Sequence, residues 1–384
     1  MPFINRLTIN DFRNLAKIDI EPSDGVNFIV GANGAGKSSL LEAITVAGRG
    51  RSLRSSRIKS VVQHGQSQYT VFVAVSNGLN GLNGVNTSLG VERKIRGTSR
   101  IRVDGLSVSS SAVLAKNLPL LVLDASSFSL LDGGPKERRK FFDWLVFHVK
   151  HEFAGLWKDL SRCVHHRNTL LRRDRIEYSD LKPWDIELAK IGSLVAELRS
   201  ECFELFRQSL ATVMSANHNR GFGELELELY QGWKTESGLE LQLESAFQRD
   251  RKLGYTTLGP HKAQISFFSD GLPVVDFLSR GQKKALIAAS FIAKARVFCD
   301  LTRVKPIVLI DDLPAELDDY HQRFLASCVS DLGCQVFVTG VEDHPLRVAW
   351  NDCHQEVKMF HVKHGEIKET LASESQSTQT KTPM

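Results

Sequence analysis

Gly31-Ala32-Asn33-Gly34-Ala35-Gly36-Lys37-Ser38 stands between an apolar run, Asn27-Phe28-Ile29-Val30, and an amphipathic segment through Leu40-Leu41-Glu42-Ala43-Ile44. Its spacing, a glycine, four residues and then Gly-Lys-Ser, is that of a phosphate-binding loop set between a strand and a helix. Gly31, Gly34 and Gly36 lack a Cβ, so backbone N–H groups can close on phosphate oxygens. Ala32, Asn33 and Ala35 complete that cradle and Ser39 continues it into the helix, whose positive end favours an anion. Lys37 brings a point charge for the β and γ phosphates, and the Ser38 hydroxyl is a hard oxygen ligand suited to Mg²⁺. A glycine-rich turn that binds nothing is the competing reading. The full spacing and the partner motifs downstream argue against it.

A phosphate loop needs an acidic second strand, and Ile307-Val308-Leu309-Ile310-Asp311-Asp312 supplies one. The apolar run reads as a buried parallel strand with its carboxylates emerging at the end where open α/β sheets bind ligands. Asp311 is expected to hold Mg²⁺ and Asp312 to orient or deprotonate an attacking water. A third motif is Leu278-Ser279-Arg280-Gly281-Gln282-Lys283-Lys284, in which Ser279 and Gln282 have the spacing of a capping box. The bland reading is a helix start. As function, Ser279, Gly281, Gln282 and the helix dipole form a second anion site, and its separation from the first loop suggests that its phosphate belongs to another subunit.

Length and composition set the bounds. At 384 residues and 42% hydrophobic content the chain can bury a large core in two or more subdomains. No apolar run is long enough to cross a bilayer, and the start lacks an apolar signal region, so a cytoplasmic protein with no membrane partner is expected. Six cysteines without a C-x-x-C pair suit a reducing compartment. Charge is uneven. Residues 49–102 carry ten Lys/Arg against Glu92 alone, and residues 136–175 carry eleven against five acids, in a chain whose net charge is only +5. Such runs are often just solvated faces, but two of them in an otherwise acidic chain favour a polyanion partner.

Along the chain, Ile4, Leu7 and Ile9 alternate as a strand, with a second at Ile18-Asp19-Ile20. Strand-like runs at 69–75 and 87–95 flank Asn77 to Gly84, read as a long hairpin loop, and Asp104-Gly105 marks another hairpin. Helical spacing begins at Phe153 and resumes through Leu188 to Leu210, with Lys182-Pro183 expected to break the two runs. Arg162, Arg167, Arg172, Arg173 and Arg175 are expected mostly on the polar face. Strand composition returns at 225–230 and 263–268, and the end of the chain lacks apolar periodicity. The expected divisions are 1–135 for the first part of the nucleotide lobe, 136–220 for an inserted helical lobe, 221–368 for the rest of the ATPase head, and 369–384 for a disordered tail.

Taken together, G-A-N-G-A-G-K-S, L-S-R-G-Q-K-K, L-I-D-D-L-P-A-E-L-D, the early D-F-R-N, G-G-P-K-E-R-R-K-F-F-D-W at 133–144 and G-P-H-K at 259–262 resemble the RecF family. Those are bacterial recombination mediators whose core is similar to ABC and SMC ATPases. The resemblance implies ATP and Mg²⁺ as cofactors and a weak, DNA-dependent ATPase acting in recombinational repair, replication restart and the response to DNA damage. It further implies an ATP-driven homodimer clamping duplex DNA next to single-stranded gaps, with RecR and RecO as partners. Ser279 to Gln282 would then act in trans on ATP held at Lys37 of a second copy. Arg13 becomes a candidate phosphate contact, Glu316-Leu317-Asp318 the loop that senses the partner, and Thr339 a switch position. ABC ATPases usually carry Glu where Asp312 stands, and the family differs at Asp124-Ala125-Ser126 and at Gln264.

The expected fold class is therefore α/β, a P-loop ABC/SMC-type ATPase head with a β-rich lobe and an inserted α-helical lobe. The rival is an SMC-like structural or transporter-associated ATPase subunit, which would call for long heptads or membrane spans. A small-molecule kinase shares the phosphate loop but has no need of the S-R-G-Q motif.

Overall fold

The computed structural model describes residues 2–76, 86–216 and 222–370. It divides into two compact units, Met1–Phe128 with Arg303–Met384, and Ser129–Thr302. The first unit opens with β1 (Phe3–Phe12) and β2 (Leu15–Ile20), an antiparallel pair, followed by β3 (Val26–Val30) and helix α1 (Lys37–Arg49). After α1 come β4 (Gln68–Ser76), β5 (Thr87–Lys94), β6 (Arg100–Val103) and β7 (Leu106–Ser107), then α2 (Ala112–Asn117) and β8 (Leu120–Leu123). An antiparallel sheet runs in the order β2-β1-β4-β5-β6-β7. The alternation read from the sequence is visible here, since Ile4, Leu7, Ile9, Val71, Val73, Val75, Leu89 and Val91 all point into one core. The expected loop from Asn77 to Gly84 lies outside the described residues, although the strands on either side of it do pair.

The second unit holds α3 (Pro135–Val149), α4 (Phe153–Leu171) and α5 (Tyr178–Ala216), then β9 (Leu225–Tyr230), α6 (Leu239–Ser245) and α7 (Phe247–Leu253). It continues with β10 (Gln264–Ser269), β11 (Leu272–Pro273), α8 (Val274–Phe277) and α9 (Arg280–Thr302), with a sheet in the order β11-β10-β9. Three expectations change here. Pro183 does not break the helical runs but lies inside α5, near its start, where it costs a single backbone bond while buried Leu181 and Leu188 hold the turn. Arg167 is not on the polar face. It is wholly buried, donating to Asp185 at 2.6 Å, Asp250 at 2.7 Å and Thr256 at 3.1 Å, because two carboxylates from α5 and α7 meet it inside the unit. Nor do the units divide at residue 220. The α9 helix is buried on nearly every side against α5 and α3, so it belongs with the helical lobe and carries Ser279 to Gln282 with it.

The chain then returns to the first unit with β12 (Ile307–Ile310), α10 (Leu313–Glu316), α11 (Asp319–Asp331), β13 (Val336–Gly340), α12 (His344–Ala349), β14 (Val357–Lys363) and β15 (Glu366–Thr370). A second sheet runs β15-β14-β3-β13-β12-β8, parallel except for β15 at its edge. Helix α1 packs between the two sheets, with Leu40, Ile44 and Ala47 sharing one core with Val73 of the antiparallel sheet and Phe337 of the parallel one. That placement aims the N-terminus of α1 along the carboxyl ends of β3 and β12, where ligands of open parallel sheets bind. The expected tail lies outside the described residues from 371 on, and residues 369 and 370 close β15.

Candidate nucleotide-binding site

A cleft of about 530 Å³ opens at those strand ends, lined among others by Asn33, Gly34, Gly36, Lys37, Ser38, Ser39, Asp311 and Asp312. The three glycines differ in why they are glycine. All take positive φ, 156° at Gly31, 79° at Gly34 and 124° at Gly36. A Cβ on Gly31 would sit 2.3 Å from the carbonyl of Val362, and one on Gly36 would meet Leu15 at 2.9 Å, whereas one on Gly34 meets nothing within 4 Å. Gly31 and Gly36 thus let β14 and the first hairpin close on the loop, and Gly34 leaves open the side on which a phosphate would approach. The β14–β15 hairpin also braces the loop, Gly365 N–H donating to the Ala35 carbonyl at 3.0 Å, and Ala35 N–H donates to Ala32 at 3.1 Å.

Lys37 is largely buried, its ammonium donating to the carbonyls of Gly31 at 2.7 Å and Ala32 at 3.1 Å. Ser38 Oγ donates to Asp311 Oδ1 at 2.9 Å, and the fully buried Thr339 donates to the same oxygen at 2.9 Å. Thr339 in turn accepts from the Asp312 N–H at 2.7 Å, so it locks the acidic pair from behind. Asp312 takes a left-handed turn, φ 53°, between β12 and α10, which leaves its side chain at the cleft. The sequence motifs at 31–38 and 311–312 therefore meet in space.

Arg13 also lines the cleft, but its guanidinium is bidentate on Glu42, at 3.0 and 2.8 Å, and donates to the Ser60 carbonyl at 2.7 Å. Its charge is compensated by a carboxylate with only 3% of its side chain exposed. Sequence reasoning passed over three neighbours. Glu42 is an acid inside the apolar run of α1, a signal that it had a buried partner. Asn14, next to Arg13, accepts from Ser39 Oγ at 2.8 Å and donates to the Gly34 carbonyl at 3.2 Å. Arg54, from the first basic block, reaches Asp311 Oδ2 at 2.6 Å, so any cation bound there competes with it for that oxygen.

The other motif, Ser279 to Gln282, lies in the second unit as an exposed helix start. Its capping box is formed reciprocally, Ser279 N–H to Gln282 Oε1 at 2.9 Å and Gln282 N–H to Ser279 Oγ at 3.3 Å. A Cβ at Gly281 would meet nothing within 4 Å, so no packing inside the chain requires glycine there. Asp318, expected to sense a partner, caps α11 by accepting from His321 N–H at 2.9 Å. Asp124 builds a local turn, accepting from Ser127 N–H at 2.9 Å and Ser126 Oγ at 2.6 Å, and Gln264 donates to Ser266 at 3.0 Å. The 133–144 and 259–262 motifs serve the second unit's interior, where buried Arg199 bridges Asp143, at 2.9 and 2.8 Å, to the Pro260 carbonyl at 2.8 Å.

Three of the eleven cations in the second basic block are thereby committed inside the unit. Arg167 is buried, while Arg138 and Arg139 donate to the carbonyls of Ile265 and Ala263. In the first block Arg93 donates to the Gly50 carbonyl, but Arg51, Arg57, Lys59, Arg96, Arg100 and Arg102 are exposed. All six cysteines are free thiols, and burial pushes Cys163 and Cys202 up to about 11. Among the described residues no cluster of three or more His, Cys, Asp or Glu could hold a metal ion, and no helix is long and apolar enough to cross a membrane.

The family model for the RecF/RecN/SMC N-terminal domain matches residues 3–368. The DNA replication and repair protein RecF of Saccharophagus degradans is 46% identical over 96% of this chain and 99% of its own length. RecF of Cellvibrio japonicus is 41% identical over 94% and 98%. A solved structure of the recombination mediator protein RecF-ATPrS in the RecFOR pathway superimposes with a TM-score of 0.84 at 22% identity, over 96% of this chain and 98% of that one. An Smc head from Pyrococcus furiosus with an extended coiled coil reaches only 0.57. Among the described residues the longest helix is α5, of 39 residues. The RecF relatives, 46% and 41% identical over nearly the full length, favour the RecF reading over the SMC-like alternative. With a matching family model across nearly its whole length and relatives of this identity, the chain belongs to the RecF family.

Proposed function

We propose that this chain is an ATP-dependent DNA-binding protein of recombinational repair and replication restart, in which two copies close around two ATP molecules and clamp DNA at gaps. Slow hydrolysis then releases the clamp, and RecR and RecO are its partners in loading a recombinase. The relatives' names support the pathway, and the solved RecF neighbours carrying ATP or an analogue support the nucleotide. The observation that carries the reading is the pairing of Ser38 with Asp311 at 2.9 Å beside the open face of Gly34. A Ser hydroxyl and one carboxylate fit Mg²⁺, which is commonly held by one or two carboxylates together with substrate phosphates and water. When bound, the ion neutralises charge across the β and γ phosphates.

The remaining work falls to the chain. The loop amides and Lys37 hold the triphosphate, and Asp312, held by its own N–H on Thr339, orients the attacking water and accepts its proton. Aspartate is one methylene shorter than glutamate, which suits a slow switch better than a motor. The exposed capping box at Ser279, with Gly281 under no steric demand of its own, is the half-site that a second copy offers to the γ phosphate. Arg13, neutralised by Glu42, acts by positioning α1 and the 60 loop. Sizing the protein with ATP, with ADP and with neither tests this. A dimer is expected with ATP alone, and a monomer under all three conditions would overturn the proposal.

A further inference from the structure

We infer that the solvent face of the antiparallel sheet in the first unit is a stacking platform for single-stranded DNA, centred on Phe72 and Gly90. The proposal rests on the DNA-binding reading above and adds to it a strand, a site and a mode of contact. Phe72 lies in the middle of β4 with 38% of its surface exposed, while its neighbours Val71 and Val73 are buried beneath the sheet. Directly across from it are Thr8 on β1 and Gly90 on β5, and Gly90 in turn faces Arg102 on β6. A large aromatic on the wet face of a central strand has no core to fill.

Gly90 is the second oddity. Its backbone is extended, not left-handed, and a Cβ there would come no nearer than 3.9 Å to anything, the closest atom being Arg102 Cβ. Neither conformation nor packing asks for glycine, and glycine in a strand interior weakens it. The register runs through Gly90 without a bulge, which leaves room for a ligand to come close to the backbone there. The shallow trough it leaves, walled by an aromatic ring and a guanidinium, has the shape and chemistry with which sheet faces bind unstacked bases.

Charge complementarity selects the occupant. Of the acids on this face, Asp19 is paired with Arg6 at 2.7 Å and Glu92 with Lys94 at 3.3 Å, while Asp104 at its edge accepts from the Ser88 N–H at 2.6 Å, so the cations still outnumber the acids. Arg100 and Arg102 are exposed and, among the described residues, make no ion pair within 4.0 Å. An aromatic surface with surplus cations fits a polyanion that presents π-faces. Duplex DNA hides those faces in its stack, whereas a single strand offers them.

The competing explanation is that Phe72 merely shields the backbone at Gly90, a known way of rescuing glycine in a sheet. The experiment separates the two with full-length protein, reading anisotropy of a fluorescein-labelled oligothymidylate and of a labelled duplex, and thermal stability alongside. Phe72→Ala is expected to weaken oligothymidylate binding by roughly fivefold to a hundredfold, the range for one stacked base, with the salt dependence unchanged. Phe72→Tyr keeps binding, and Arg102→Ala flattens the salt dependence. Gly90→Thr should raise or preserve stability yet reduce single-strand binding, because it fills the trough. Duplex affinity should be the same in wild type, Phe72→Ala and Gly90→Thr. Retained single-strand binding in Gly90→Thr, or an equal loss for duplex in Phe72→Ala, overturns the platform while leaving the DNA-binding reading intact. A wild type that binds neither DNA sinks both.

Discussion

Ser38 and Asp311 are 273 residues apart in the chain and 2.9 Å apart in space, hydroxyl to carboxylate. Parallel pairing of β13 with both β3 and β12 is what brings them together, since it places the loop after β3 and the acids after β12 at one sheet edge. The two carboxylates there are given different surroundings. Asp311 is held by Ser38, Thr339 and Arg54, whereas Asp312 is turned to the cleft.

Different surroundings imply separable failures. Lys37→Ala should abolish measurable ATP binding in a fluorescent-nucleotide titration. Asp312→Asn should bind ATP within about twofold of wild type and lose on the order of 10²–10⁴ in turnover, the usual range for a positioned base. If Asp312→Asn hydrolysed ATP at the wild-type rate, the base would have to be sought elsewhere.

Substitution at the second motif tests the subunit arrangement. Ser279→Arg removes the hydroxyl that caps α9 and puts a bulky cation on an exposed helix start. Nucleotide affinity of the isolated chain should be unchanged, while light scattering with ATP should show no dimer. Normal dimerisation of this variant would refute action in trans.

The Arg13–Glu42 pair separates structure from ligand contact. Glu42→Gln leaves the Arg13 charge half-buried without its bidentate partner, and should cost about 2–3 kcal/mol in urea unfolding, somewhat below the range for wholly buried pairs. Replacing both together, Arg13→Met with Glu42→Leu, should cost less than the two single changes added. Should Arg13→Lys instead raise the ATP dissociation constant tenfold with little change in stability, Arg13 touches phosphate directly.

Acid should loosen the second unit through His261. Burial holds its imidazole down at about 4 from an ordinary 6.5, with Nε2–H donating to the Thr256 carbonyl at 3.1 Å. Between those values the unfolded chain takes up a proton that the folded one refuses, so stability falls as pH drops from 6.5 towards 4 and is level above it. At 1.36 kcal/mol per unit, and allowing for partial exposure, the loss is on the order of 2 kcal/mol. His261→Gln should flatten that stretch of the stability–pH curve measured by chemical denaturation. An unchanged slope would remove His261 as its source.

Much of this protein is written locally. A glycine loop between an apolar run and an amphipathic one, two acids ending a Val-Leu-Ile strand, and a Ser-x-x-Gln box each depend on residues a few positions apart, so backbone and capping chemistry made them readable in order along the chain. Other features depend on partners that no local pattern reveals. Arg167 sits in a basic, polar-looking stretch, and only the meeting of α4 with α5 and α7 supplied the two carboxylates that draw it inside. Pro183 reads as a breaker, but tertiary packing of α5 outweighs the one hydrogen bond it removes. Helix α9 reads as part of the ATPase head, yet its apolar surface extends all round, and such a helix goes wherever it can be wholly covered, here among α3 and α5. Short-range spacing thus determined which groups this chain brings to the cleft at the strand ends. Which of its charges face solvent, and which unit carries each motif, was decided by long-range burial, because desolvation and close packing act between elements that sequence order keeps far apart.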